Sequence, residues 1–270
     1  MNSPHSDETT DRDFPWWLVA TVTIGIALAI FIAVSDLYTQ VFRAVSRGVS
    51  ITIFVALVGF ALASAVGLLF AVMGLSRYVV LRQISRFYVE IIRGIPVLVL
   101  LFYIAFVGAP GFVALWNFLT SVLVDMGLIE KMTVRDFPLL WRAIIALTIG
   151  YSAFIAEVFR AGIQAVDKGQ IEAAKALGLS NLQRFRLIIM PQAIRTIAPP
   201  LGNDFIAMVK DSSLVSILGV ADVTQMGKIY ASGSFRFFET YSIVAYIYLL
   251  MTISLSLMLR ALERRMRRKW

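Results

Sequence analysis

Few residues in this chain could do chemistry, and those few stand where water is scarce. Glu157, Asn203, Asp204, Lys210 and Asp211 lie within or beside long apolar runs. A charge at the centre of a bilayer costs roughly 2.5–3.5 kcal/mol on insertion scales, so each needs a partner or a wet path. These five are candidates for lining an aqueous route. The competing reading is local neutralisation. Glu157 stands three residues before Arg160, a spacing at which helical side chains meet, and Lys210 and Asp211 could balance other buried charges. Glu90 and Arg93 share that spacing and are expected to form a structural ion pair.

Conventional catalysis lacks its parts. There is no cysteine, and the single histidine is His5, so thiolate chemistry, a His-based triad and a His- or Cys-rich metal site are all excluded. No G-x-x-x-x-G-K-[ST] loop is present, so ATP cannot be held in the Walker manner. No catalytic residue, metal ligand or cofactor site is therefore assigned. Membrane transport, with energy supplied by another subunit, is the class these exclusions favour.

The elements that must position the polar residues are membrane helices. Hydrophobic residues make up 59% of the 270, charged residues 16%, and the mean hydropathy is +0.80. Several uncharged runs reach the ~20 residues needed to cross a bilayer, far beyond the 9–11 of a barrel strand. The sequence predicts an all-α bundle of six spans: Trp16–Val34, Gly48–Ser76, about Gly94–Val107, Leu139–Arg160, Ile197–Ala221 and Thr240–Leu259. Amphipathic residues 84–93 should extend the third span. The GAPG at 108–111 should break it, leaving 112–124 as an interfacial segment. Residues 1–13 are polar and acidic, which predicts disorder. Ala33-Val34-Ser35 resembles a signal cleavage site. One Arg against four acids before the first run is the wrong charge for such a signal, so a retained helix is expected.

Charge placement sets the orientation. The net charge of +8 is spread over loops and a basic C-terminal tail, as topology and lipid headgroups require, and no basic domain exists to bind nucleic acid. Seventeen Lys and Arg fall on the side of the termini and seven on the other, Lys210 aside. The positive-inside rule makes the first side cytoplasmic. Segment 167–191 then faces the cytoplasm. Asp167 before Gln170 and Ser180 before Gln183 are capping-box patterns, and Gly178 between them suits a left-handed cap. The segment should fold as helix, sharp glycine turn, helix, with Pro191 starting the next turn or ending this one. Ala173 and Ala174 would offer another protein a flat surface, flanked by Glu172 and Lys175.

This segment resembles the EAA loop of ABC importer permeases: E-A-A, three residues, G, nine residues, I, one residue, L-P. Glu172-Ala173-Ala174, Gly178, Ile188 and Met190-Pro191 match it, with Met for the usual Leu. FYVEIIRGIPVLVLLFY (87–103), SAFIAEVFRAGIQAV (152–166) and PPLGNDFIAMVKDSSLVSILGV (199–220) are similar to the subfamily that imports polar amino acids. Ile95 stands where threonine is common there and Ala161 where a second glycine is frequent. The resemblance implies a permease domain over 48–265 with its coupling loop at 167–191, preceded by a tail (1–13) and an additional span with external loop (14–47), and followed by a basic tail (266–270). It implies a bacterial cytoplasmic (inner) membrane location with both termini cytoplasmic. It implies partners: two ATP-binding cassette ATPase subunits, a second permease chain, an extracytoplasmic substrate-binding protein and a polar amino acid. Glu172, Ala173, Ala174, Gly178 and Pro191 would carry the ATPase coupling. Glu157 or Asp211 would accept from the substrate ammonium, and Lys210, Asn203 or backbone amides would donate to its carboxylate. The alternatives are a stand-alone ion-coupled transporter using Glu157 and Asp211, or a membrane scaffold that carries nothing.

Overall fold

The computed structural model describes residues 16–268 and is all-helical over them. The tail at 1–13, with its expected disorder, lies outside the described residues, as does the end of the basic C-terminal tail. The first helix, α1 (Trp16–Val34), has the predicted bounds. It is followed at once by α2 (Asp36–Ser46), in the stretch expected to be an external loop. Leu37, Val41 and Val45 recur every four residues, and that apolar stripe makes 36–46 a helix worth burying.

The centre of the bundle is a seam between α3 (Val49–Gly74) and the fourth predicted span. On α3, Ala56, Gly59, Ala63, Gly67 and Ala71 recur at intervals of three and four and are all buried. A side chain on Gly67 would meet Ile155 Cγ2 and the Ser152 carbonyl at 2.9 Å. Lipid tails are as apolar as leucine, so helices in a bilayer gain by close approach, which small residues permit.

The third predicted span needs correction. The helix breaks not at the GAPG but earlier, between α4 (Val79–Gly94) and α5 (Val97–Tyr103). Ile95 precedes Pro96 and is extended (φ −98°, ψ 126°), as the proline ring demands of its neighbour. The expected amphipathic residues form α4, which packs along α3: Ser85 Oγ donates to the Phe70 carbonyl (2.7 Å), and the Phe70 and Tyr88 rings stack at 3.8 Å. At the GAPG the chain stays helical, passing through a π-turn at 104–108 into α6 (Ala109–Leu119). Pro110 has no N–H, and the carbonyl of Ala105, five residues earlier, instead accepts from Arg142 Nη1 (3.3 Å). Residues 97–119 are consequently long and apolar enough to span, so 112–119 are not a separate interfacial segment.

A short α7 (Ser121–Asp125) and a loop return the chain to α8 (Leu139–Gln164), the predicted fourth span. Buried Arg142 fastens that loop, its Nε donating to the Phe137 carbonyl (2.8 Å) and its Nη2 to that of Val134. In the exposed turn beside it, the Thr133 amide and hydroxyl hold the Asp136 carboxyl below the usual carboxylate range. Two short helices, α9 (Lys168–Ala176) and α10 (Asn181–Arg184), then lead into α11 (Met190–Asp211). That helix starts seven residues before the predicted fifth span and ends ten short of it, running through Pro199 and Pro200. Then come a 3₁₀ turn (212–218), α12 (Val223–Ser234), which the sequence left as loop, and α13 (Phe237–Arg268), the sixth span with longer ends.

By length and composition, 36–74, 97–119, 139–164 and 237–265 could each cross a membrane among the described residues. Of the other two predicted spans, α1 contributes the shorter apolar stretch Val19–Val34, and α11 carries Arg195, Asp204, Lys210 and Asp211. Gly67→Leu is expected to lower the thermal unfolding midpoint of the detergent-solubilised chain, at a cost of about 1–3 kcal/mol from overpacking. Gly94→Ala, where an added Cβ meets nothing within 4 Å, should leave the midpoint unchanged.

Candidate functional site

The segment between α8 and α11 is built by local rules. Asp167 Oδ1 accepts from the amides of Gly169 (2.5 Å) and Gln170 (3.3 Å), starting α9 at the predicted residue. The reciprocal half of a capping box is not made. Gln170 Oε1 accepts from Gln192 Nε2 (2.6 Å) instead, tying the start of α9 to the start of α11. Gly178 has φ +79°, and the Leu179 amide reaches back to the Ala174 carbonyl (3.1 Å), a Schellman cap that only glycine enters without strain. Ser180 and Gln183 complete a full capping box on α10. A second π-turn, 185–189, joins α10 to α11, with Pro191 in the first turn of α11, where its missing N–H costs nothing.

This shape divides the predicted docking residues between two faces. Ala174 is 4% exposed and turns inward, on the same side as Ile171, which packs against a small core of Val166, Ala193 and Ile197. Glu172, Ala173 and Gly178 face out. Around the glycine turn stand Leu177, 80% exposed, and Leu182, 74% exposed. Two bare leucines beside a tight turn form an unpartnered apolar tip. No described residue covers either leucine, which the sequence pattern alone does not reveal.

The intramembrane candidates fall into two groups. Asp211 Oδ2 accepts from the Tyr151 hydroxyl of α8 (2.8 Å), and Asp204, seven residues earlier on α11, has a buried Oδ2 with no hydrogen-bond partner. These three gather at the α8–α11 seam, while Asn203 and Lys210 lie on the exposed side of α11. Glu157 stands apart, about 9 Å along α8 from Tyr151. It pairs with Arg160 (Oε1 to Nε 3.0 Å, Oε2 to Nη2 2.5 Å), and Arg160 also donates to Gln164 (2.8 Å). The expected Glu90–Arg93 pair is absent among the described residues. Arg93 instead covers the ring of Phe154 at 5.5 Å, while Glu90 is exposed.

Two functional-looking groups escaped the sequence. Tyr151 is an uncharged residue in an apolar run, and nothing in the pattern singles it out. Asp222 is fully buried, caps α12 through the Gln225 amide (2.8 Å) and accepts from Tyr248 (3.0 Å). The Val223 amide beside it donates to Thr52 Oγ1 (3.2 Å), so this knot ties α3, α12 and α13 together at one end. The Asp-x-x-Gln spacing of Asp222 and Gln225 is a helix-start signal in the stretch between the fifth and sixth predicted spans.

Folded this way, the described helices and their glycine-turned tip are those of a known class of membrane transport subunit. The chain belongs to the family described as "binding-protein-dependent transport system inner membrane component", whose model matches residues 63–268. It is the multi-pass inner-membrane permease subunit of such an ABC import system, in which the ATPase is a separate subunit. Among its relatives is the "probable amino-acid permease protein YxeN" of Bacillus subtilis, 38% identical over 225 residues that cover 83% of this chain and 92% of that one. Another is the "glutamine transport system permease protein GlnP" of Escherichia coli, 34% identical over 221 residues, 82% of this chain and 92% of that one. An amino acid ABC transporter crystallised with histidines has a chain of similar structure, with a TM-score of 0.68 and 37% identity over 84% of this chain and 95% of its own. The match begins after α2, so α1 and α2 lie ahead of the family's common region.

Gly178→Val is expected to cost about 1–2 kcal/mol at the left-handed position. Hydrogen exchange of the full-length chain should show faster amide exchange confined to 174–183.

Proposed function

We propose that this permease imports a polar amino acid, working beside a second permease chain, two ATPase subunits and an extracytoplasmic binding protein. The substrate class is supported by the names of the relatives, which are amino-acid and glutamine permeases. The coupling role is supported chiefly by one observation: the outward tip of Glu172, Ala173, Leu177, Gly178 and Leu182, with its two uncovered leucines. A groove on a partner would gain by covering them, at about 25 cal/mol per Å² of apolar surface removed from water.

Movement of the tip has a defined outlet. Gln170 holds Gln192, and Ile171 and Ala174 face the core formed by Val166, Ala193 and Ile197. A push on α9 is therefore a push on α11, which carries Asn203, Asp204, Lys210 and Asp211. The substrate path of this reading runs along α11, from its seam with α8 to the exposed side that carries Asn203 and Lys210. Asp211 and Asp204 would receive an ammonium, with Tyr151 steering the first, while Lys210 and Asn203 would meet a carboxylate. Glu157, held by Arg160, is better placed as a structural pair at the cytoplasmic end of α8 than as a substrate ligand. The six-span topology with both termini inside is supported by the excess of basic residues on that side.

Glu172→Lys and Ala173→Asp should leave the chain folded in the membrane. They should cut both co-purification of the ATPase subunit and substrate-stimulated ATP hydrolysis by about ten-fold or more. Unimpaired transport and unchanged ATPase association would count against the coupling role. Tyr151→Phe should reduce uptake of labelled amino acid by the reconstituted complex about ten-fold, since half-buried Asp211 loses its hydroxyl donor at a cost of about 1–3 kcal/mol, with ATPase association intact.

A further inference from the structure

On the side of α11 turned away from α8, a groove runs between α3, α11 and α13. Two adjoining hollows of about 720 and 620 Å³ share Leu57, Phe205, Leu255 and Met258 as walls. The groove exists because α13 is held at separate places. Leu259 fills the space over Gly202, where any Cβ would overlap it, and the N-terminal half of α13 packs against α2 and α12. Among the lining side chains only Ser254 and Arg265 are polar, and Arg265 stands at the C-terminal end of the groove's run along α13. From Leu250 to Arg265 the groove follows α13 for about 22 Å. One leaflet of hydrocarbon is about 15 Å deep, so an acyl chain and its glycerol fit that length.

We propose that this groove holds an acyl chain of an anionic phospholipid, with its phosphate at Arg265. The wall is apolar along its length and cationic at one end, the pattern that matches a lipid with a negative headgroup. Arg264 adjoins Arg265 and is likewise exposed, so this end of α13 carries two positive charges. A second copy of the chain seated here by two-fold symmetry would bring two such basic ends together, which is unfavourable; a phosphate neutralises them. A lipid bound here would hold α13 against α11, the helix that carries the polar seam. Only the leaflet rests on the permease reading, which puts this end of α13 in the cytoplasm.

The test mixes the full-length chain in detergent with palmitoyl-oleoyl phosphatidylglycerol or phosphatidylcholine and counts retained lipid by native mass spectrometry. Phosphatidylglycerol should be kept about five-fold better. Arg265→Gln should remove that preference, and Met258→Trp should lower retention of both lipids. Met258 is 67% exposed and Arg265 is exposed, so neither change disturbs the fold. Equal retention of the two lipids, or a preference that survives Arg265→Gln, overturns the proposal. The chain has no cysteine, so Met258→Cys reports the rival occupant cleanly. Maleimide labelling slowed by phosphatidylglycerol supports the lipid. A disulfide-linked dimer that forms equally with or without that lipid places a second copy in the groove and overturns it. Because binding is read in detergent, its failure is distinct from any failure of orientation or transport.

Discussion

Everything in this bundle depends on how closely α3 can approach α8. Inside a bilayer no water is expelled when two helices meet, so van der Waals contact and hydrogen bonds must do the holding. The small residues from Ala56 to Ala71 let the two backbones come together, so close at Gly67 that a methyl group has no room. With α8 fixed, its other faces become reference planes. Tyr151 presents its hydroxyl to Asp211, Ser152 meets Tyr88, and Arg142 clasps the return loop. α8 is also the best-covered of the long apolar helices, 67% of its spanning stretch being buried within this one chain.

Much of this architecture was legible in the chain itself. Helix identity followed from uncharged length, and the shape of segment 167–191 followed from capping chemistry, since Asp167, Gly178 and Ser180 act on neighbours two to four residues away. What failed were the places where a distant group overrode a local rule. The GAPG did not end its helix because a π-turn moved the register and Arg142, more than thirty residues on, took the freed carbonyl of Ala105. α2 and α12 carry apolar stripes too short to announce helices on their own, and α13 and its neighbours supply the cover. The break at Ile95–Pro96 is a local signal, masked in the sequence by the apolar run that continues through it.

The polar residues divide in the same manner. Their presence in apolar runs was visible, but which of them meet was not, because pairing depends on helix rotation. Glu157 pairs three residues along its own helix, a contact that spacing alone suggests. Asp211 finds Tyr151 sixty residues away, a contact that spacing cannot suggest. Ala174 shows the limit at the tip: the motif groups it with Ala173, yet the helix turns one inward and its neighbour outward. Within the motif, one alanine is a packing residue and the other is surface.

The π-turn at 185–189 makes α10 and α11 continuous, so tip and polar stripe are two ends of one helical shaft. Along such a shaft, angle is counted in residues, about 100° for each. Gaining or losing a single residue between Gln183 and Pro191 would swing the tip to another side of the bundle while keeping every side chain type. Most surface connections in proteins tolerate changes of length. This one can vary in composition but not in number, which is why its spacing can be read in a lone sequence.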